Sequence, residues 1–214
     1  MKKIRVGILG GTFNPVHKGH ITLGLKVKEI FKLDKVLYIL SARPPHKDNT
    51  KVVEPDKRFE MLKKTLDKFE GLEASDIEIK RNKPSWTIDT VKQLKRDYKN
   101  HVFYFISGSE GFLNIRTWKN YKELLREIPF IVLIRKEEHI SKVKELIKQE
   151  GIEYTENTDI NYKVPLIYLI KYDSDTINIS STLIRNRLKN KKRVDNLIDK
   201  DIKDIIQENK LYES

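Results

Sequence analysis

His17 and His20, two imidazoles three positions apart, stand directly behind a run that is rich in small residues: Gly10-Gly11-Thr12-Phe13-Asn14-Pro15-Val16. Ring N–H groups fixed in place can receive negative charge as it builds on phosphate oxygens, and they do so without covalent attachment. The glycines let backbone N–H groups approach an anion closely, and a helix start just beyond adds partial positive charge. The chemistry suited to this stretch is stabilisation of a polyphosphate during reaction. Plain helix capping is another use for such a histidine pair, and a zinc site is a third. Zinc asks for a third and fourth ligand at recognisable spacing, and the chain has neither cysteine nor an H-E-x-x-H segment.

Two better-known phosphate turns do not fit. The dinucleotide fingerprint needs G-x-G-x-x-G with an acidic residue about 20 positions on, whereas the glycines here stand at 7, 10 and 11. A P-loop needs Gly-Lys-Ser/Thr, which does not occur.

The elements that must position the histidines are legible as hydrophobic periodicity. Short apolar runs predict strands at 3–9, 35–40, 76–80, 102–107, 130–134 and 165–170. Helical spacing predicts helices at 18–31, 56–69, 87–98, 117–126, 140–150, 180–189 and 195–208. Strands alternating with helices imply crossover connections and a parallel sheet. The fold class expected is α/β: a Rossmann-like open parallel sheet with helices on both faces and a C-terminal helical segment. Ligands of such sheets bind beyond the carboxyl ends of the strands. That places the glycine turn, Ser41–Lys47 and Ser107–Glu110 on one rim.

With 214 residues and no linker-like composition break, one domain over 1–214 is expected, an α/β core at 1–179 followed by helices at 180–214. No apolar run approaches the ~18 residues that span a bilayer. Together with the absence of cysteine, this reads as a cytoplasmic protein without a membrane partner. The net charge of +12, from 43 basic against 31 acidic residues, favours anionic ligands. Its lysines are interleaved with glutamates as on a solvated surface, so nucleic acid is disfavoured as principal partner. The basic run 189–193 reads as a solvated link.

The ordered series of motifs carries a resemblance. Gly10–His20 closely resembles the phosphate turn of nucleotidyltransferases with an H-x-G-H signature, and among them the bacterial-type nicotinate-mononucleotide adenylyltransferases. Pro44-Pro45-His46-Lys47 resembles that family's P-P-H-K loop. Pro84–Thr90 resembles P-S-Y-T-x-D-T, with Trp86 in place of tyrosine. Gly108-Ser109-Glu110 and Trp118-Lys119 resemble G-x-D…W-K, and Ile179–Arg185 matches I-S-S-T-x-I-R. A closing Leu211-Tyr212 resembles the family's last motif. The series covers residues 4 to 212.

The resemblance implies adenylyl transfer from ATP to nicotinate mononucleotide, with His17 and His20 as the catalytic pair and magnesium bridging the phosphates. On the ATP side it implies Gly10, Gly11, Thr12, Phe13, Gly19, Gly108, Glu110, Arg135, Ser180, Ser181, Thr182 and Arg185. On the acceptor side it implies Asn14, His46, Lys47, Trp86, Thr87, Trp118 and Lys119, with Trp118 stacked on the pyridine ring and backbone N–H groups near Thr87 and Lys119 on its carboxylate. Ser180 or Ser181 makes a good N-cap. Metal ligands from protein side chains are not expected. Glu110 departs from the family's Asp, and Leu133–Glu137 lacks its Arg-Pro-Gly, which leaves Arg135 as the adenine-side remnant. Other phosphorylated acceptors (nicotinamide mononucleotide or pantetheine phosphate) and an inactive nucleotide- or nucleic-acid-binding module stay open, as does a homo-oligomer.

Overall fold

The computed structural model describes residues 3–44, 52–81, 83–160, 162–173 and 178–212. Strand β1 (Ile4–Gly11) leads through the glycine turn into helix α1 (Lys18–Ile30), and β2 (Lys35–Leu40) pairs beside β1. Helix α2 (Pro55–Leu66), β3 (Leu72–Ser75), α3 (Ile77–Arg81) and α4 (Thr87–Asp97) follow, and β4 (His101–Gly108) then returns to the other side of β1. Next come α5 (Ser109–Leu113), a 3-10 turn at Ile115–Thr117, α6 (Tyr121–Glu127), β5 (Phe130–Ile134) and α7 (Glu138–Gln149). The chain closes with β6 (Glu153–Thr155), β7 (Leu166–Lys171), α8 (Ser181–Lys189) and α9 (Lys200–Glu208).

Among the described residues the seven strands form one parallel sheet in the order β3-β2-β1-β4-β5-β7-β6. Strand order reverses between β1 and β4, and that switch point opens the crevice at their carboxyl ends. The strands are apolar on both faces because both faces are covered. Tyr104, Ile106, Ile131 and Leu133 join one core with residues of α1, α2, α8 and α9. Phe103, Phe105, Phe130 and Val132 join the other, with residues of α4, α6 and α7.

The strand expected at 76–80 is not there. Gly71, in the left-handed region at φ +77°, turns the chain so that β3 begins at Leu72, and Ser75 Oγ accepts the Ile77 N–H to open α3. The apolar pair Ile77 and Ile79 fits either period, and the turn residues on both sides decide for the helix. The helix expected at 117–126 splits, since Asn120 takes a left-handed conformation (φ +50°) ahead of α6. That expected at 195–208 starts only at Lys200, where Asp199 caps the Asp201 N–H. The three-residue edge strand β6 is too short to leave a period-2 signal.

Helix α1 lies against β2 through Gly24. A Cβ there would sit 1.9 Å from Tyr38 Oη, the hydroxyl that donates to the His20 carbonyl at 2.9 Å. Gly24→Ala must push Tyr38 aside and break that bond. A loss of about 1–3 kcal/mol is expected, read as a Tm lower by roughly 2–10 °C in thermal melts; an unchanged Tm would show that α1 shifts without resistance.

Candidate active site

The glycine turn is held by packing before it meets any ligand. Phe13 takes a left-handed conformation (φ +46°), and its buried ring stands edge-on to His20 at 5.0 Å and beside Tyr38. A Cβ at Gly11 would come within 2.8 Å of that ring, so this position needs glycine. His17 is the extended N-cap of α1, and its backbone N–H donates to His20 Nδ1 at 3.2 Å. The two rings stack with centroids 3.6 Å apart. Because Nδ1 of His20 accepts, the neutral ring carries its proton on Nε2, which makes Nε2 a donor.

His17 is buried, and its pKa is pushed down to about 3, first by burial and then by the Arg135 guanidinium. At neutral pH it is therefore an uncharged imidazole. A base whose folded pKa is depressed binds fewer protons folded than unfolded. Its contribution to stability is present above the unfolded value near 6.5 and is lost as pH falls toward 3. Melts at pH 7 and pH 5 should show a larger Tm drop for the native chain than for His17→Asn. Equal drops would contradict the burial of this ring.

The far end of the chain braces the turn. Ser181 Oγ donates to the Pro15 carbonyl at 2.9 Å, and Arg185 Nη1 donates to the Asn14 carbonyl at 2.8 Å. Tyr212 Oη donates to Asn14 Oδ1 at 2.8 Å, where the Val53 N–H also donates. With Oδ1 accepting twice, the Asn14 amide has a fixed orientation. Arg58, 1% exposed, donates to the carbonyls of Thr12, Ser41, Ala42 and Val53 at 2.6–2.9 Å, tying the turns after β1 and β2 into one unit. Sequence reasoning missed Arg58 and gave Tyr212 no role in the site. The signal for Arg58 was present: positions 58, 61, 62 and 65 form the buried stripe of α2, and a guanidinium on a core stripe requires partners.

Two cavities open on this rim. One, of about 250 Å³, is lined by Gly10, Gly11 and Thr12 together with Trp86, Thr87, Trp118 and Lys119. Trp86 is the N-cap of α4 and supplies no side-chain cap; its carbonyl takes the Asp89 N–H at 3.1 Å, which leaves the Thr87 and Ile88 N–H groups for another acceptor. Trp118 stands edge-on to Phe105 at 5.7 Å. The Lys119 ammonium pairs with Asp89 at 3.0 Å and lies 5.7 Å from the Trp86 ring. The second cavity, of about 200 Å³, is lined by His17, Gly19, His20, Arg135, Tyr172, Ile179, Ser180 and Ser181. None of those residues carries a carboxylate.

The structure thus brings most expected residues to two adjoining spaces and refines several. Ser180, not Ser181, caps α8, accepting the Leu183 N–H at 3.1 Å, and Ser181 spends its proton on Pro15. Arg185 and Thr182 are bonded to each other at 3.3 Å while Arg185 grips Asn14. Gly108 and Glu110 line neither cavity but flank Arg135, since a Cβ at Gly108 would lie 3.7 Å from Arg135 Nε. Phe13 and Asn14 are buried supports of the turn. His46 and Lys47 lie outside the described residues; Pro44, just before them, lines the first cavity. Among the described residues no cluster of three or more His, Asp or Glu is placed to hold a metal, and no helix is long and apolar enough to cross a membrane.

Residues 8–187 match the family model described as cytidylyltransferase-like. The chain is 37% identical over 212 residues to a protein of Carboxydothermus hydrogenoformans named "Probable nicotinate-nucleotide adenylyltransferase", covering 99% of this chain and 100% of that one. It is 36% identical over 208 residues to a protein of the same name from Clostridium botulinum, covering 97% and 98%. In fold it resembles the Plasmodium falciparum nicotinic acid mononucleotide adenylyltransferase solved with NaAD, with a TM-score of 0.77, 22% identity and 98% of each chain covered.

Proposed function

We infer the reaction from a plain premise: the chain belongs to the cytidylyltransferase-like family and, within it, to the nicotinate-nucleotide adenylyltransferases. The reaction is adenylyl transfer from ATP to nicotinate mononucleotide, a step of NAD biosynthesis. A phosphate oxygen of the acceptor attacks the α-phosphorus of ATP in line, the bond to the β-phosphate oxygen breaks, and pyrophosphate leaves. Nicotinate adenine dinucleotide is the product.

One observation carries the assignment of roles. The segment Gly10–His20 walls both cavities, Gly10, Gly11 and Thr12 facing one and His17, Gly19 and His20 the other. A ligand in each space meets the other across that turn. On this reading the His17 and His20 N–H groups receive the charge that grows on the α-phosphate oxygens. Held by stacking and by the cap bond, they need no reorganisation at the moment of reaction. Gly10, Gly11 and Phe13 contribute backbone, while Thr12 and Asn14 set the position of the phosphates. Gly19, Ser180, Ser181 and Thr182, at the starts of α1 and α8, take the outer phosphates. Arg135 meets that charge directly. Arg185 acts on the same site through the Asn14 carbonyl. Gly108 and Glu110 serve the adenylate ribose.

ATP enters as its magnesium complex. No carboxylate lines the histidine cavity, so a magnesium ion there would depend on the nucleotide's phosphates and on water rather than on protein side chains. In the other cavity Trp118 and Trp86 flank the pyridine ring, and the first-turn amides at Thr87 and the backbone at Lys119 take its carboxylate. His46 and Lys47 belong to the acceptor side by motif alone. A long, flexible acceptor without an aromatic ring, such as pantetheine phosphate, finds no use for two indoles. We read residues 1–214 as one nucleotidyltransferase domain, with 1–179 as core and 180–214 carrying the triphosphate motif, and its setting as cytoplasmic.

The test is an acceptor panel. Purified protein with ATP and magnesium is offered nicotinate mononucleotide, nicotinamide mononucleotide and pantetheine phosphate in turn while pyrophosphate is measured. Release is expected with the nicotinate acceptor first. ATP binding without release from any acceptor would replace this reading by a binding module.

A further inference from the structure

The acceptor-side cavity contains a carboxylate that the reaction above does not use. Glu78, on α3, lines it and is 5% exposed. Its Oε1 receives the Thr90 hydroxyl at 2.5 Å, and Arg81 donates to that same hydroxyl oxygen at 3.0 Å, so the proton of Thr90 is directed at Glu78. Arg81 stands 3.7 Å from Oε1 as the counter-charge. The orientation of the carboxyl group is thereby fixed. Its second oxygen, Oε2, is buried and has no hydrogen-bond partner among the described residues. A buried carboxylate oxygen without a donor is costly, and in a ligand cavity a ligand donor removes the cost.

We propose that Glu78 Oε2 accepts a hydrogen bond from a ribose hydroxyl of the acceptor mononucleotide, making Glu78 a specificity-determining residue. The proposal rests on the reaction inferred above. The acceptor offers two anionic groups, which a carboxylate repels, a ring held between indoles, and a sugar diol. Only the diol presents donors. The anionic acid goes instead to the amides that open α4, and the phosphate to the glycine turn that leads to His17 and His20. Glu78 thus reads the sugar while the helix start reads the acid.

The experiment compares native chain and Glu78→Gln with nicotinate mononucleotide and with its 2′-deoxy and 3′-deoxy analogues. The glutamine keeps the shape and an oxygen for Thr90. For the native chain, one deoxy analogue should raise the acceptor KM about tenfold or more, the weight of one hydrogen bond to a charged group. Glu78→Gln should raise the KM of the parent acceptor by about the same factor, with kcat and the ATP KM within about twofold. That variant should no longer distinguish the parent from the same analogue. A residue that merely ties α3 to α4 would raise KM for parent and analogue alike and leave their ratio intact, which overturns the proposal. So does equal use of parent and both analogues by the native chain, an arm that requires no variant to fold. A shift in the acid-to-amide acceptor ratio in Glu78→Gln, with no change in sugar dependence, overturns it as well. Absence of turnover with the parent acceptor removes the inferred reaction and this proposal together, whereas turnover without sugar dependence removes this one alone.

Discussion

Replacing His20 by alanine is expected to lower kcat by roughly 10²–10³-fold, the loss of about 3–4 kcal/mol that follows removal of one fixed donor from a developing oxyanion. The argument is geometric. His20 Nδ1 is spent on the His17 backbone N–H, so the ring has one tautomer and one outward donor, and Phe13 and His17 hold its plane. The donor counts only when charge moves onto the α-phosphate, so the KM for ATP should change far less than kcat. The fold loses one helix-cap acceptor, about 0.5–2 kcal/mol, and the variant should therefore melt as a folded protein. Steady-state kinetics beside a thermal melt checks both halves. A folded His20→Ala protein with near-native kcat would strip the ring of its role.

Arg58→Ala is expected to be the most damaging single change to the scaffold. The guanidinium satisfies four carbonyls, two of them on one nitrogen, and none of its partners is a carboxylate. Burial lowers its pKa to about 10, so it remains charged at neutral pH. Deleting it leaves buried acceptors unmet and the turns after β1 and β2 unjoined, for a loss of about 3–5 kcal/mol. Denaturant midpoints read that loss. The folded fraction should also turn over at least about tenfold more slowly, since misplaced positioning groups are costly to rate. Lysine at this position should recover little, because an ammonium cannot match the planar fork. A midpoint within about 1 kcal/mol of native would mean that water replaces the side chain.

The sheet was legible because parallel strands buried on both faces are written as apolar runs, as in Val102–Ile106 and Phe130–Ile134. What misled was local. Ile77 and Ile79 read as strand until Gly71 and Ser75 are seen to set the boundaries, and Asn120 breaks a helix by a backbone conformation that no periodicity reveals. The histidine pair announced itself by type and spacing, the indoles through the resemblance of their motifs. The side chains that fix them did not. Tyr212 bonds Asn14 across 198 positions, and Arg58 serves the site from a helix that never lines it. Nothing in the sequence set Glu78 apart, because its burial depends on Thr90 and Arg81 meeting it in three dimensions.

The braces on the Asn14–Pro15 turn come from Ser181, Arg185 and Tyr212, which are 166, 171 and 198 positions downstream. A ribosome adds residues at about 5–20 per second, so roughly 10–40 s separate the birth of the turn from that of its last brace. During that interval only the nearer ties, from Val53 and Arg58, are there to hold the turn. A chain cut short of α8 would keep the signature residues and lose the Ser181, Arg185 and Tyr212 bonds that brace their turn.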